Sequence, residues 1–218
     1  MVNLRSGGPY IWATWLPRLL SGESSCEWAG WFKARHDGGS WVKRPSDFDQ
    51  TQWLLNHTAL LNEQRREWEG RGYEVFTEGQ NSFNLRGKTA VLAGKPDLVA
   101  RRGDEVVVID AKTGKPGPAH AIQVAIYQYA LPRALKRYRG LTLAGQVAYQ
   151  DHQVEVPVQT VDKAFVQNVG QLITRLAAEI PARQVPSLDE CRYCEITSAD
   201  CPVRVEGSSV EEGVTEDF

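Results

Sequence analysis

The chain has 218 residues, of which 42% are hydrophobic and 24% are charged. This composition is typical of globular domains and excludes disordered and fibrous proteins, and a chain of this size buries a core without disulfides. The formal net charge of −2 is uneven, because residues 205–218 hold five acidic residues and no basic one, leaving 22 acidic and 25 basic residues in 1–204. We therefore expect one mildly basic domain over residues 1–204, which permits nucleic-acid binding, and a disordered acidic tail over 205–218.

Hydrophobic periodicity predicts helices at both ends of the chain and strands between them. Residues 10–36 contain two short helical segments, and a long helix runs from about Ser46 to Arg71, with Asp47 and Asp49 in its first turn. Strand-like runs follow at 72–79, 81–87, 90–100 and 105–112. A helix at 118–138 with a kink or restart at Pro132, strands at 143–150 and 153–159, and a helix at 162–180 complete the order. This order predicts an α+β or mixed α/β fold with a single central sheet flanked by helices.

The compartment is predicted from what the sequence lacks. No apolar run approaches the roughly 20 residues of a transmembrane helix, so we expect no membrane contact. The N-terminal segment contains Pro17 and no continuous apolar core, which argues against a signal peptide. The four cysteines, without a secretory context, favour metal chemistry in a reducing, cytoplasmic compartment.

Two acidic residues and a lysine lie near the ends of neighbouring strands. The apolar run Val106–Ile109 predicts a central strand, and Asp110-Ala111-Lys112 follows it directly. A hairpin turn at residues 101–104 would place Asp97 opposite Val108, on the same face as Asp110 and Lys112. Two carboxylates so placed would be close enough to hold one cation. The alternative is a hairpin with incidental charges near its ends.

Three short motifs occur in a fixed order along the chain: Gly94-Lys95-Pro96-Asp97, Ile109-Asp110-Ala111-Lys112, and Gln123 with Tyr127 four residues later. Together they resemble the PD-(D/E)XK nuclease superfamily, in particular its RecB-like branch, which includes the CRISPR adaptation nucleases and the AddAB and RecBCD nuclease domains. That branch also carries a histidine or glutamate on a helix before the sheet, where this chain has His57. The likeness spans about residues 10 to 202.

The resemblance implies a PD-(D/E)XK core and metal-dependent hydrolysis of phosphodiester bonds. Mn²⁺ or Mg²⁺ would be held by His57, Asp97, Asp110 and the backbone carbonyl of Ala111, which supply mostly hard oxygen ligands. Lys112 would orient or activate the attacking water, and Gln123 and Tyr127 would position the substrate or the metal site. For this last pair the alternative is a packing tyrosine with an exposed glutamine.

His57 belongs to one predicted buried stripe of the long helix. The stripe consists of Trp53, Leu54, His57, Leu60, Leu61, Gln64 and Trp68. A histidine ligand suits Mn²⁺ better than Mg²⁺, so we expect stronger activity with Mn²⁺. Glu63 and Glu67 are the competing ligands on this helix, and a core histidine bonded to a backbone carbonyl is the alternative for His57. The other histidines, His36, His120 and His152, are interpreted as surface or turn residues.

The four cysteines form one distant residue and a close trio: Cys26, and Cys191, Cys194 and Cys201. Four thiolates bind either zinc or an iron–sulfur cluster, and the spacing alone leaves both open, beside disulfides or free thiols. The one-plus-three arrangement resembles that of the AddAB and CRISPR adaptation nucleases. This likeness implies a structural [4Fe–4S] cluster that joins the N- and C-terminal helices, with structural Zn²⁺ as the alternative.

The resulting functional hypothesis is a divalent-metal-dependent deoxyribonuclease that acts on single-stranded DNA or duplex ends, in CRISPR adaptation or in DNA repair and recombination. The alternative is a catalytically silent nucleic-acid-binding or assembly subunit of a larger nuclease or integrase complex. Expected partners are DNA and either a CRISPR integrase or a helicase, because the chain contains no helicase of its own.

Overall fold

The computed structural model describes residues 2–46 and 48–207. The helices are α1 (Pro17–Ser21), α2 (Glu27–Arg35), α3 (Gln50–Gly70), α4 (Glu78–Asn81), α5 (Pro118–Ala134), α6 (Lys163–Ala177) and α7 (Leu188–Arg192). The strands are β1 (Tyr10–Trp12), β2 (Glu74–Thr77), β3 (Phe83–Arg86), β4 (Val91–Gly94), β5 (Leu98–Arg102), β6 (Glu105–Ala111), β7 (Leu143–Ala148) and β8 (Gln153–Val156). The mixed α/β fold class is thus as predicted.

The larger sheet has five strands in the order β2-β5-β6-β7-β8. Strands β5 and β6 pair antiparallel, whereas β6 and β7 pair in parallel across the connection that contains α5. The apolar run predicted to be a central strand is indeed β6, and Val106, Val108 and Ile109 are buried in it. Helix α5 packs with Val108 on one face of this sheet, and Trp68 of α3 packs with Ile109 on the other.

The prediction of a single sheet is wrong, because a second sheet of three strands has the order β1-β4-β3. The run predicted as one strand over 90–100 divides between the two sheets, with β4 ending at Gly94 and β5 beginning at Leu98. Pro96 lies at the division, and proline has no backbone N–H with which to continue a strand ladder. Residues Tyr10–Trp12, predicted within a helical region, form β1 instead and pair in parallel with Val91–Ala93.

The hairpin between β5 and β6 has a different register from the predicted one. Arg102 pairs with Glu105, so the loop consists of Gly103 and Asp104 only, and Gly103 adopts a φ of 63°. A two-residue loop of this kind needs positive φ, which glycine adopts without strain. Leu98 therefore pairs with Ile109, and the continuation of the strand brings Asp97 opposite Asp110 and not opposite Val108. Because the shift is two residues, Asp97 keeps the predicted face.

The long helix α3 begins at Gln50, a few residues after the predicted start. The side chain of Asp49 accepts a hydrogen bond of 2.9 Å from the Gln52 backbone N–H, which caps this end. The predicted role of Asp47 lies outside the described residues, as does the acidic tail from residue 208 onward. In α5, Pro132 is followed within three residues by a non-helical break at Leu135 and a short 3-10 turn, which confirms the predicted restart.

In the residues that the structure describes, there is no helix long and apolar enough to cross a membrane.

Candidate active site

The candidate site lies at the carboxyl end of β6, where the two sheets separate. Asp97 follows the division between β4 and β5, and its Oδ2 accepts a hydrogen bond of 2.8 Å from the backbone N–H of Ala111. Beyond Ala111 the chain stays paired to β7, since the Lys112 N–H donates to the Ala148 carbonyl at 2.8 Å. The structure therefore brings Asp97, Asp110 and Lys112 together at one edge, as expected from the motifs.

Asp110 is a buried carboxylate that contacts one charged group and one neutral amide. Lys112 Nζ lies 2.7 Å from Oδ2, and the Gln123 amide donates to Oδ1 at 3.0 Å. Oδ2 is fully buried, and in the described residues the Lys112 ammonium is the group of opposite charge that contacts it. Burial raises the pKa of Asp110 to about 6, while the charge of Lys112 opposes the rise.

His57 reaches the acid pair from α3. Its Nε2 lies 3.4 Å from Asp97 Oδ2, and both side chains are largely buried. The hydrogen bond to Asp97 raises the pKa of His57, and burial partly opposes it. The competing Glu67 instead accepts a hydrogen bond of 2.9 Å from Gln153, a β8 residue. The geometry thus favours His57 over Glu67 as the helix residue of this site.

The buried stripe predicted on α3 is correct only in its second half. Leu60, Gln64 and Trp68 are buried, whereas Trp53 and Leu54 are 37% and 55% exposed. The residues of the first two turns are exposed, so His57 lies where the packed part of the helix begins.

Gln123 and Tyr127 stand on one face of α5 and contact the acidic motif. The Gln123 amide oxygen accepts a hydrogen bond of 3.1 Å from Lys112 Nζ, while its nitrogen donates to Asp110 and lies 3.2 Å from the Tyr127 hydroxyl. Tyr127 is buried, and burial raises its pKa well above the ordinary value, so the phenol stays protonated. Gln123 therefore connects both charged groups and is not the exposed residue of the alternative interpretation.

Close packing explains why position 94, the first of the first motif, is a glycine. A Cβ at this position would lie 2.7 Å from ring carbons of Phe83 and 3.0 Å from a ring carbon of Tyr127. Any larger residue would push Tyr127 away from Gln123.

The donor set fits a hard divalent cation, although its members are not gathered around one point. Among residues 2–46 and 48–207, no three His, Cys, Asp or Glu side chains lie close enough to hold a metal ion. Asp110 is paired with Lys112, and Asp97 with His57 and the Ala111 N–H. The carboxylates of the buried Asp110 and the partly exposed Asp97 are nevertheless the kind of oxygen ligand that Mg²⁺ and Mn²⁺ require.

A polar pair that the sequence pattern does not reveal lies beside this site, and it shows His120 to be half-buried on α5 and not in a turn. His120 Nδ1 and the Tyr149 hydroxyl are 2.8 Å apart, and His120 precedes Gln123 by three residues on the same face of α5. Burial lowers the pKa of His120, and the nearby charge of Lys112 lowers it further. The three-residue spacing from Gln123 was the available signal, but the partner Tyr149 follows β7 and could not be paired with it from the sequence.

The four cysteines line a second site, a cavity of about 240 Å³ between the N- and C-terminal segments. All four are free thiols, which excludes disulfides among them in this structure. The Gln184 amide donates to the sulfur of Cys201 at 3.2 Å, and the Val205 N–H to that of Cys191 at 3.5 Å. Burial raises the pKa of Cys194, and the neighbouring Cys26 contributes to the rise. Thiolates are the ligands that zinc and iron–sulfur clusters take, so the residue types fit such a group. No three of the cysteines, all of which the structure describes, lie close enough together to hold a metal ion, however.

Arg204, which belongs to no sequence motif, holds the cysteine-bearing loop together. Its guanidinium donates to the carbonyls of Cys191, Cys194 and Ile196 at 2.7, 3.1 and 2.7 Å. Its side chain is almost fully buried, so the loop geometry depends on a basic residue that has little contact with solvent.

The chain is similar to one family of known proteins and to solved structures. The sequence model of the PD-(D/E)XK nuclease superfamily matches residues 18–202. A solved structure titled "Crystal structure of SSO0001" is similar, with 20% sequence identity, a TM-score of 0.42 and coverage of 71% of each chain. None of the curated proteins matches this chain.

Proposed function

The chain belongs to the PD-(D/E)XK nuclease superfamily, and we propose that it is a divalent-metal-dependent deoxyribonuclease acting on single-stranded DNA or duplex ends. The observation that carries the proposal is the buried Asp110 carboxylate, held 2.7 Å from the Lys112 ammonium beside Asp97. A buried charge is costly, and a buried carboxylate with a second acid and a lysine beside it at the end of a central strand is explained by catalysis better than by stability.

In this proposal Asp97, Asp110, the Ala111 carbonyl and His57 would hold Mn²⁺ or Mg²⁺. The bound cation would polarise the phosphate and lower the pKa of a water molecule. Lys112 then donates hydrogen bonds to the attacking water or to a phosphate oxygen. Gln123 keeps the lysine in place, because its amide oxygen already accepts from Nζ. The buried, protonated Tyr127 accepts a hydrogen bond from the Gln123 amide nitrogen and so helps to fix the orientation of the amide.

The test of this proposal is cleavage of end-labelled single-stranded and duplex DNA with Mg²⁺ or Mn²⁺. We expect Lys112→Ala to abolish cleavage while the fold and DNA binding persist, because the change removes a polar group from a partly exposed position. Lys163→Ala, at the exposed start of α6, is the control and should cleave as the wild type does. Equal cleavage by wild type and Lys112→Ala would refute the assignment. DNA binding without metal-dependent cleavage by the wild type would favour the silent binding or assembly subunit.

We further assign the chain to the RecB-like branch, on the order of its motifs and the position of His57. The partner in this proposal is a CRISPR integrase or a helicase, in CRISPR adaptation or in DNA repair and recombination. Co-purification of the full-length protein with candidate partners tests this point separately from cleavage.

We also propose that Cys26, Cys191, Cys194 and Cys201 bind a structural [4Fe–4S] cluster. The support is their shared cavity, the N–H donors directed at sulfur, and the absence of disulfides among the described cysteines. The cluster would join α2, which begins directly after Cys26, to the C-terminal segment. Such a group requires reduced thiols, so we place the protein in the cytoplasm.

Anaerobic purification tests the cluster. We expect brown protein with about four iron and four sulfide per chain, and loss of both colour and solubility in Cys26→Ala. Ser21→Ala, at the end of α1, serves as the control and should retain the colour. Stoichiometric zinc without sulfide would replace this proposal with a structural zinc site.

A further inference from the structure

The first two turns of α3 place large apolar side chains in solvent next to the candidate active site. Leu54 and Leu55 are 55% and 62% exposed, and Phe48, just before the helix, is 60% exposed. Trp53 lies among them and is 37% exposed. The start of α3 thus exposes aromatic and apolar side chains on more than one side of the helix.

Trp53 is distinguished from its neighbours by its position relative to His57. It lies one helical turn before His57 on the same face of α3, and the two rings stack with centroids 4.8 Å apart and planes 20° apart. His57 Nε2 is in turn 3.4 Å from Asp97 Oδ2. The indole is therefore joined to the acid pair through the single intervening ring of His57.

We propose that Trp53 stacks on a base of single-stranded DNA next to the phosphate that is cleaved, so that the site selects unpaired strands over intact duplex. This inference rests on the proposed function. A base within a duplex is already stacked on both faces, whereas an unpaired base offers a free face to an indole. Stacking of this kind contributes about 1–3 kcal/mol per base.

The charges near the site suit a nucleic-acid strand. Lys95 and Lys115 are exposed and lie close in sequence to Asp97 and Lys112. Neither forms an ion pair with any residue that the structure describes. Single-strand-binding surfaces combine cations, which contact phosphates, with exposed aromatic rings, which stack on bases, and the loops around the acid pair supply the first while α3 supplies the second. A protein partner that bound the exposed apolar side chains of α3 would not require these two lysines.

The experiment compares binding of a single-stranded oligonucleotide and of a blunt duplex, with every variant carrying Asp110→Asn to block cleavage. We expect Trp53→Ala to weaken single-strand binding about 5- to 100-fold, and Trp53→Phe to retain most of it. Duplex binding should not change. The matched control is Leu55→Ala, which removes an exposed apolar side chain from the opposite side of the same helical turn and should bind as the parent does.

The possible results separate this inference from the proposed function. Unchanged single-strand binding in Trp53→Ala overturns the inference, and cleavage by the wild type would then still support the nuclease. The same loss in Leu55→Ala indicates a general apolar contact or a protein interface and also overturns it. A loss of Mn²⁺ affinity in Trp53→Ala with Asp110 intact, without a loss of DNA affinity in the Asp110→Asn background, assigns Trp53 to positioning His57 only, which contradicts base stacking. Absence of cleavage by the wild type, with the Trp53 effect intact, instead refutes the nuclease and leaves single-strand stacking in place.

Discussion

Asp110→Asn should make the metal-free protein more stable and inactive at the same time. Burial raises the pKa of Asp110 from 3.8 to about 6. At neutral pH the carboxylate is still ionised in the folded protein, but its ionisation is less favourable there than in the unfolded chain, and this difference lowers the stability of the fold. Asparagine has nearly the shape of the protonated acid and no charge. The variant therefore removes the cost of ionisation while it also removes an expected metal ligand.

The magnitude follows from the size of the shift. A rise of about two pKa units corresponds to about 3 kcal/mol of destabilisation above about pH 6, at one pKa unit per 1.36 kcal/mol. Because the folded-state pKa of this acid is raised, the destabilisation is absent below the pKa of the unfolded state, 3.8. It develops as the pH rises from there to about 6. At about pH 4 the difference between wild type and variant should fall below about 1 kcal/mol.

Thermal unfolding in EDTA measures this effect. At about pH 7.5 we expect Asp110→Asn to unfold up to about 10 °C above the wild type, since 1 kcal/mol shifts the midpoint by about 2–4 °C in a chain of this size. Adding Mn²⁺ should stabilise the wild type and not the variant. Asp104→Asn, in the exposed β5–β6 turn, is the control and should change neither quantity. A metal-free variant that is no more stable than the wild type at neutral pH would refute the reasoning.

Three further predictions concern the surroundings of Asp110. His57→Ala should weaken Mn²⁺ affinity in titration calorimetry without unfolding the protein, whereas the control Glu63→Ala, at an exposed position of α3, should leave the affinity unchanged. Gly94→Ala should lower the free energy of unfolding by about 1–3 kcal/mol in denaturant titration, because its Cβ would meet the Phe83 and Tyr127 rings. Tyr127→Phe should change the stability little and lower the cleavage rate, since it removes only the hydroxyl beside Gln123; an unchanged rate would show that the hydroxyl has no part in the reaction.

The sequence predicts the elements of this fold well where one local pattern determines them. The apolar run of β6 identifies a central strand, and the restart after Pro132 follows from the missing N–H of proline. The register of the β5–β6 hairpin was two residues off, because Arg-Arg-Gly-Asp permits several loops. The positive φ of Gly103, which selects the two-residue loop, is visible only in the structure.

Long-range pairings could not be predicted in the same way. The division of the sheet at Pro96 depends on β4 pairing with β1, a strand from the other end of the chain. Tyr149 joins His120 only because β7 lies parallel to β6. Arg204 contacts the cysteine loop through backbone carbonyls, which carry no sequence signal. In each case the interaction is set by tertiary packing and not by the periodicity of one segment.

The position of His57 connects metal binding to substrate binding. The buried part of α3 is fixed to the large sheet, where Gln64 accepts a hydrogen bond of 3.0 Å from Gln146 on β7, but the turns before His57 have few buried side chains. Segments with little buried apolar surface are the first to open locally. A cation held jointly by His57 and Asp97 would therefore also hold the turn that carries Trp53. Metal loading and single-strand affinity should then rise together, and the coupling should disappear when His57 is replaced, since the helix would no longer be joined to the acid pair.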